Sequence, residues 1–155
     1  MDQGFREHVE SLVPKLASLL AMPPVTVSAL PRNMPFRGVY LFSDGNEHLY
    51  VGRTNNLKRR LQNHCRVSSK HHKATFAFRL AREQTGNLRA SYKVQGSRSA
   101  LLVDTLFAPA FAAAKTRLRQ LSVRYVEETD PVRQCLLEVY VAVVLKAKHN
   151  DFDNH

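Results

Sequence analysis

The chain predicts a mixed α/β fold, a small antiparallel (mixed) sheet of about three strands flanked by helices. Three observations carry this. Residues 37–42 and 48–52 are short runs rich in Val, Leu, Tyr and Phe on either side of the turn-forming stretch Ser43 to Glu47. Residues 121–126 alternate apolar and polar side chains as a half-buried strand does. The remaining apolar residues recur at three- and four-residue spacing, so the elements run β-β-α, α, α, β, α with no internal repeat.

Each element has its own reason. Phe5, Val9, Leu12, Val13, Leu16, Leu19 and Leu20 fall on one helical face, and Pro14 kinks or restarts that helix. Pro23, Pro24, Pro31 and Pro35 then punctuate an extended arm. Residues 1–35 therefore read as an N-terminal helix and Pro-rich arm, and 36–155 as the main domain with a helical insertion at about 73–120. After the hairpin, Leu57, Leu61 and His64 mark a short helix, with Thr54 or Asn55 as its N-cap. Ala74 to Arg82 is a second helix and Ser99 to Gln120 a third, interrupted by Pro109, with Gly86 and Gly96 bounding the loop between them. Asp130 followed by Pro131 starts the last helix, expected to run to about Lys148.

At 155 residues the chain holds about one domain. The 23 Lys and Arg against 13 Asp and Glu leave a net charge of +10, a surface suited to polyanions. Cys65 and Cys135 lack the spacing of a disulfide framework or a structural zinc site and read as packing residues. The apolar run from Cys135 to Leu145 is broken by Glu138 and falls short of the ~20 residues that span a bilayer. Asp2, Glu7 and Glu10 make the start of the chain unlike a secretion signal, so the expected location is cytoplasmic, on the nucleoid in a bacterium. No Walker loop, GxSxG elbow or HExxH helix is present.

The residues that carry chemistry begin at the hairpin. Tyr40 and Tyr50 stand on paired strands and can share one face, although tyrosine is also simply a good strand former. Seven Lys or Arg lie between Arg53 and Lys73 with no acid among them, including Lys58, Arg59, Arg66 and Lys70. Salt bridges within that stretch cannot account for such a run, which reads either as a solvated face or as a phosphate-binding surface. Arg60 and His64 are four apart, on one helical face. Adjacent His71 and His72 diverge on a helix, which suits surface or phosphate contacts better than metal ligation. Glu138, alone in an apolar helix, must be exposed, paired with an arginine, or bound to a metal.

Gly38-Val39-Tyr40, then Tyr50-Val51-Gly52-Arg53-Thr54-Asn55-Asn56-Leu57, then Arg60 and His64, resemble the GIY-YIG endonuclease superfamily. Val39 and Val51 replace the motif isoleucines, a β-branched exchange that leaves the strand reading intact. The resemblance covers roughly Arg37 to His64 and Val132 to Phe152, and it implies a GIY-YIG-like fold and a magnesium-dependent DNA endonuclease. It makes Tyr40 and Tyr50 the motif tyrosines, Arg53 the basic residue after the second glycine and Arg60 the helix arginine, with His64 one turn later. Glu138 resembles the metal ligand, and Asn150, twelve residues on, the closing asparagine. Glu127 and Glu128 compete with Glu138 for that part.

These residue types suit hydrolysis of a phosphodiester. Tyr40 is the expected base, its phenolate favoured by Arg53 and Arg60, and Tyr50 orients water or bonds a phosphate oxygen; the two roles are exchangeable. Arg60 clamps non-bridging oxygens, and His64 and Asn150 position the other groups. One carboxylate without an acidic cluster suits a single Mg2+ (or Mn2+) acting as Lewis acid. Arg53, Lys58, Arg59, Arg66, Lys70 and Lys73 are expected to touch the nucleic acid, DNA by resemblance with RNA as the open alternative. The competing class is a catalytically silent nucleic-acid-binding module. A protein partner or a second copy docked through the N-terminal helix is compatible with either, and no membrane contact is expected.

Overall fold

The computed structural model describes residues 1–86 and 97–154. In chain order the elements are α1 (Gln3–Glu10), α2 (Leu12–Ala21), β1 (Gly38–Asp44), β2 (Glu47–Thr54), α3 (Leu57–Cys65), α4 (Thr75–Thr85), α5 (Arg98–Leu101), α6 (Phe107–Gln120), β3 (Ser122–Glu127) and α7 (Pro131–Val144). They fall into two compact units, Met1–Arg59 with Leu121–His155, and Arg60–Gln120. The loop expected between Gly86 and Gly96 falls on 87–96, outside the described residues. Among the described residues no helix is long and apolar enough to cross a membrane.

The first unit holds the expected small α/β arrangement, a three-stranded antiparallel sheet in the order β2-β1-β3. Leu41 opposes Val51 and Val39 opposes Val126, and these four side chains face α2 and α7, where Leu12, Leu16, Leu19, Leu137, Val141 and Ala142 complete the core. The 1–35 segment thus supplies core residues. Alternation along the strands sends Tyr40, Phe42 and Tyr50 to the opposite face. Gly38 is required by packing, because a Cβ there would lie 2.0 Å from the Val126 carbonyl oxygen and push β1 off β3.

Both edges of this sheet are covered, as exposed ladders of unpaired amides invite aggregation. Val25 in the Pro-rich arm pairs with Val123 at the β3 edge. Along β2, the amides of Lys148 and His149 donate to the carbonyls of His48 and Leu49 at 3.1 and 2.8 Å. Asn150 finishes this second cover with its side chain: Oδ1 accepts from Val51 N–H and Nδ2 donates to Val51 C=O, each at 2.8 Å. Removing both bonds with Asn150→Ala should cost about 1–3 kcal/mol in urea unfolding, with Asn150→Gln failing to restore it because the longer chain misplaces the amide.

Several boundaries differ from the sequence expectation for identifiable reasons. The α3 cap is Asn56, whose Oδ1 accepts from Arg59 N–H at 3.1 Å, while Thr54 Oγ1 accepts from Asn56 N–H; neither Thr54 nor Asn55 fills the cap position. Pro14 restarts the helix, sitting in the first turn of α2 where its missing N–H has no partner to lose. The 99–120 helix splits into α5 and α6 before Pro109, with Asp104 Oδ1 accepting from Leu106 and Phe107 N–H at the break. The last helix ends at Val144, not Lys148. Lys146 takes φ +52°, and Ala147 N–H bonds Ala142 C=O while Lys146 N–H bonds Val143 C=O, a Schellman stop built without glycine.

The second unit packs α4 on α6. The Phe78 ring meets Phe107 and Phe111 edge-on, centroids 5.0 and 5.6 Å away. Alanines 77, 81, 110 and 114 are buried alongside and let the two helices approach closely.

Candidate active site

The first unit gathers its chemistry around two consecutive residues of the edge strand β2, Gly52 and Arg53. Tyr40 opposes Gly52 across the β1–β2 ladder, and its ring lies over that glycine. A Cβ at position 52 would sit 2.2 Å from Tyr40 Oη and 2.3 Å from Cζ. The glycine of the Tyr50-Val51-Gly52 run therefore exists to admit the phenol, and it carries the Tyr40 hydroxyl outward to the edge strand. The Tyr40 residue is 1% exposed. Tyr50 stands on the same face, half-buried, with its ring centroid 6.5 Å from that of Tyr40.

Arg53 follows Gly52 and points to the other face, toward α7, where Nε donates to Glu138 Oε2 at 3.0 Å. The Glu138 side chain is 25% exposed, so the lone carboxylate in the apolar helix is resolved by arginine pairing at the solvent boundary. Since adjacent Cα atoms are about 3.8 Å apart, the phenol over Gly52 and the Arg53–Glu138 pair issue from neighbouring points of one strand, on opposite faces of its outer edge. Asn150, bonded to Val51, braces the residue just before them.

Of the competing carboxylates, Glu128 is buried and committed, accepting from Arg133 Nε at 3.3 Å and from Asp130 N–H at 3.0 Å, with Lys15 Nζ at 3.9 Å. Glu127 is exposed at the end of β3. Among the described residues no three His, Cys, Asp or Glu cluster as a metal site. A single carboxylate suits a hydrated magnesium ion, which retains most of its water, so the donor set fits one such ion at Glu138.

At the start of α3, Lys58 and Arg59 are exposed, and together with Arg60 they fill the first turn with cations. Positive charge there opposes the helix dipole at about 0.3–1 kcal/mol per group, an arrangement that an external anion would relieve. The other predicted site residues, Arg60, His64, Arg66, Lys70 and Lys73, belong to the second unit. There Arg60 Nη2 donates to Thr75 Oγ1 at 2.9 Å and Nη1 to Lys73 C=O at 3.3 Å. Thr75 is a partner that sequence reasoning missed, since a hydroxyl fifteen residues away carries no periodic signal.

His64 is 0% exposed, and burial together with the Arg60 charge holds its pKa well below the usual 6.5. It is a neutral imidazole at pH 7, out of reach of solvent. The linkage sign follows: above 6.5 folded and unfolded chains both carry neutral His64, and below it only the unfolded chain takes up the proton. Stability should thus be flat above about pH 7.5 and fall below 6.5, toward the lower folded pKa, by up to ~1.4 kcal/mol per pH unit. Urea midpoints across that range check this, and a profile unchanged by His64→Asn would contradict it. His71 packs against Phe78 at 5.7 Å and is half-buried. Cys65 is buried and its thiol is pushed up to about 11, which keeps it unreactive, whereas Cys135 is exposed on α7 and is no packing residue.

Residues 36–101 match the family model described as the GIY-YIG catalytic domain. Over 67 residues the chain is 39% identical to the UvrABC system protein C of Thermosipho africanus (strain TCF52B), a stretch covering 43% of this chain and 11% of that protein. The chain thus spans about a tenth of that relative's length. No solved structure gives a significant match. The matched span contains Tyr40, Tyr50, Arg53, Arg60 and His64 and ends before Glu138 and Asn150.

Proposed function

Because residues 36–101 match the GIY-YIG catalytic domain model, we propose that this chain is an endonuclease that hydrolyses phosphodiester bonds in DNA. The observation that carries the reading is the Tyr40 phenol seated over Gly52, one residue before the Arg53–Glu138 pair. That placement sets the ring's one polar atom, Oη, over Gly52 of the edge strand.

In this reading a tyrosine, Tyr40 by its placement, takes the proton of the attacking water as phenolate. Tyr50 orients the water or bonds a phosphate oxygen. The water oxygen forms the new bond to phosphorus as the bond to the 3′ oxygen breaks, leaving a 5′ phosphate and a 3′ hydroxyl. Arg60 donates paired N–H groups to the non-bridging oxygens where negative charge grows, with Thr75 and the Lys73 carbonyl keeping its guanidinium in one orientation. Neutral His64 and Asn150 are positioning residues. A magnesium ion would be held by Glu138 and supplies Lewis-acid charge at the phosphate. Lys58, Arg59, Arg66, Lys70 and Lys73 contact the backbone of the substrate.

Incubating the purified chain with supercoiled plasmid, in magnesium or in chelator, tests the proposal. Nicked or linear product in magnesium alone is the expected result. Salt-sensitive binding without cleavage of any DNA or RNA would replace it with the silent binding module.

A further inference from the structure

The net charge of the chain is confined to one of its two units. Arg60–Gln120 carries twelve Lys and Arg against two acids, Glu83 and Asp104, a net of +10. The other unit carries eleven of each sign and is neutral. A partition this complete, coinciding with the structural division, is unnecessary for solubility, which needs charge but no segregation of it. It creates a single-sign field over 61 residues that only a polyanion complements.

Within that unit the exposed cations concentrate on the connection between α3 and α4. Arg66, Lys70 and Lys73 are all exposed, and no acid occurs in the sequence between Glu47 and Glu83. The connection is built of tight turns, with Ser69 N–H bonding Arg66 C=O at 3.0 Å and Ala74 N–H bonding Lys70 C=O at 2.9 Å. Two cations of α6 hold it from inside. Lys115, only 7% exposed, donates to the carbonyls of Val67 at 2.7 Å and Ser69 at 3.0 Å, its ammonium lying 4.3 Å from the Phe111 ring centroid. Arg119, one turn on, donates Nε and Nη2 to the Cys65 carbonyl at 3.0 and 2.7 Å. Desolvating a lysine is costly, and this one spends its donors on two backbone carbonyls of a segment that carries exposed charges. Ordering those turns during folding removes the entropy cost from the binding step.

We propose that the 66–73 connection is a preformed phosphate-backbone grip, shaped by Lys115 and Arg119, and that it carries most of the chain's salt-dependent hold on DNA. The inference rests on the nuclease reading for its partner and adds where that partner is held. It assigns this grip no sequence preference, since phosphate contacts carry no base information.

The test measures affinity for a short duplex in chelator across a salt series, so that binding is read apart from cleavage. Each lost phosphate contact flattens the log–log slope by about 0.9. Arg66→Gln, Lys70→Gln and Lys73→Gln combined should therefore flatten it by about 3, while Arg6→Gln, Arg32→Gln and Lys146→Gln combined, in the neutral unit, change it by less than about 1. Lys115→Met should weaken binding at every salt concentration with the slope kept. Equal slopes for the wild type and the first triple variant, or equal losses in the two triple variants, overturn the proposal, as does a chain that prefers an acidic protein to duplex. A slope shallower by about one for Lys115→Met would put that ammonium on a phosphate and overturn its assigned part. Failure of the nuclease reading shows separately, as no nicking in magnesium with the slopes behaving as stated.

Discussion

Tyr40→Phe should lower the single-turnover cleavage rate by about 10²–10⁴-fold and leave the fold in place. The phenylalanine ring fills the same space over Gly52, and a lost hydroxyl bond costs about 0.5–1.5 kcal/mol of stability. The loss in rate therefore reports the phenol oxygen and not packing. Gly52→Ala reaches the same oxygen from the other side. Its Cβ would fall 2.2 Å from Tyr40 Oη and 2.9 Å from Cε1, and the ring is too buried to swing clear. Overpacking of about 1–3 kcal/mol should accompany a rate loss near 10²-fold, the usual consequence of moving a catalytic group by about 1 Å. A Tyr40→Phe enzyme that cleaves at the wild-type rate would move the base to Tyr50.

Glu138→Gln should abolish cleavage to below about 10⁻³ of wild type while DNA binding persists. Glutamine keeps the shape and an acceptor oxygen for Arg53, but it removes the charge that would hold a divalent ion. Stability should shift by no more than about 0.2–1 kcal/mol, the worth of an exposed ion pair, because Arg53 is 45% and Glu138 25% exposed. Loss of cleavage together with loss of folding would assign the pair a structural part instead.

The hairpin, with its two tyrosines on one face, was legible because strand alternation and the short turn leave few registers for residues 37–54. The same alternation puts Arg53 on the opposite face from Tyr40, which the order of the motif alone does not announce. Boundaries were harder to read where chemistry is degenerate: Thr54, Asn55 and Asn56 can all cap a helix, and only tertiary placement selects Asn56. The end of the last helix was hidden because its left-handed residue is Lys146 and no glycine or proline marks the stop. Partnerships such as Lys115 with Val67 and Ser69, or Asn150 with Val51, join residues 46 to 99 positions apart and leave no local trace in composition or spacing. The charge run of 53–73 was plain in sequence, whereas its division, with Arg53, Lys58 and Arg59 in the unit of the tyrosines and Arg60, Arg66, Lys70 and Lys73 in the other, was not.

The double variant Tyr40→Phe/Glu138→Gln, compared with each single variant in single-turnover cleavage of one duplex, examines the shared edge of β2 most directly. Groups acting on the same phosphorus lose their effect together, so the double variant should be no slower than the worse single one. Multiplied losses, or two single variants that both cleave like the wild type, would contradict a common site.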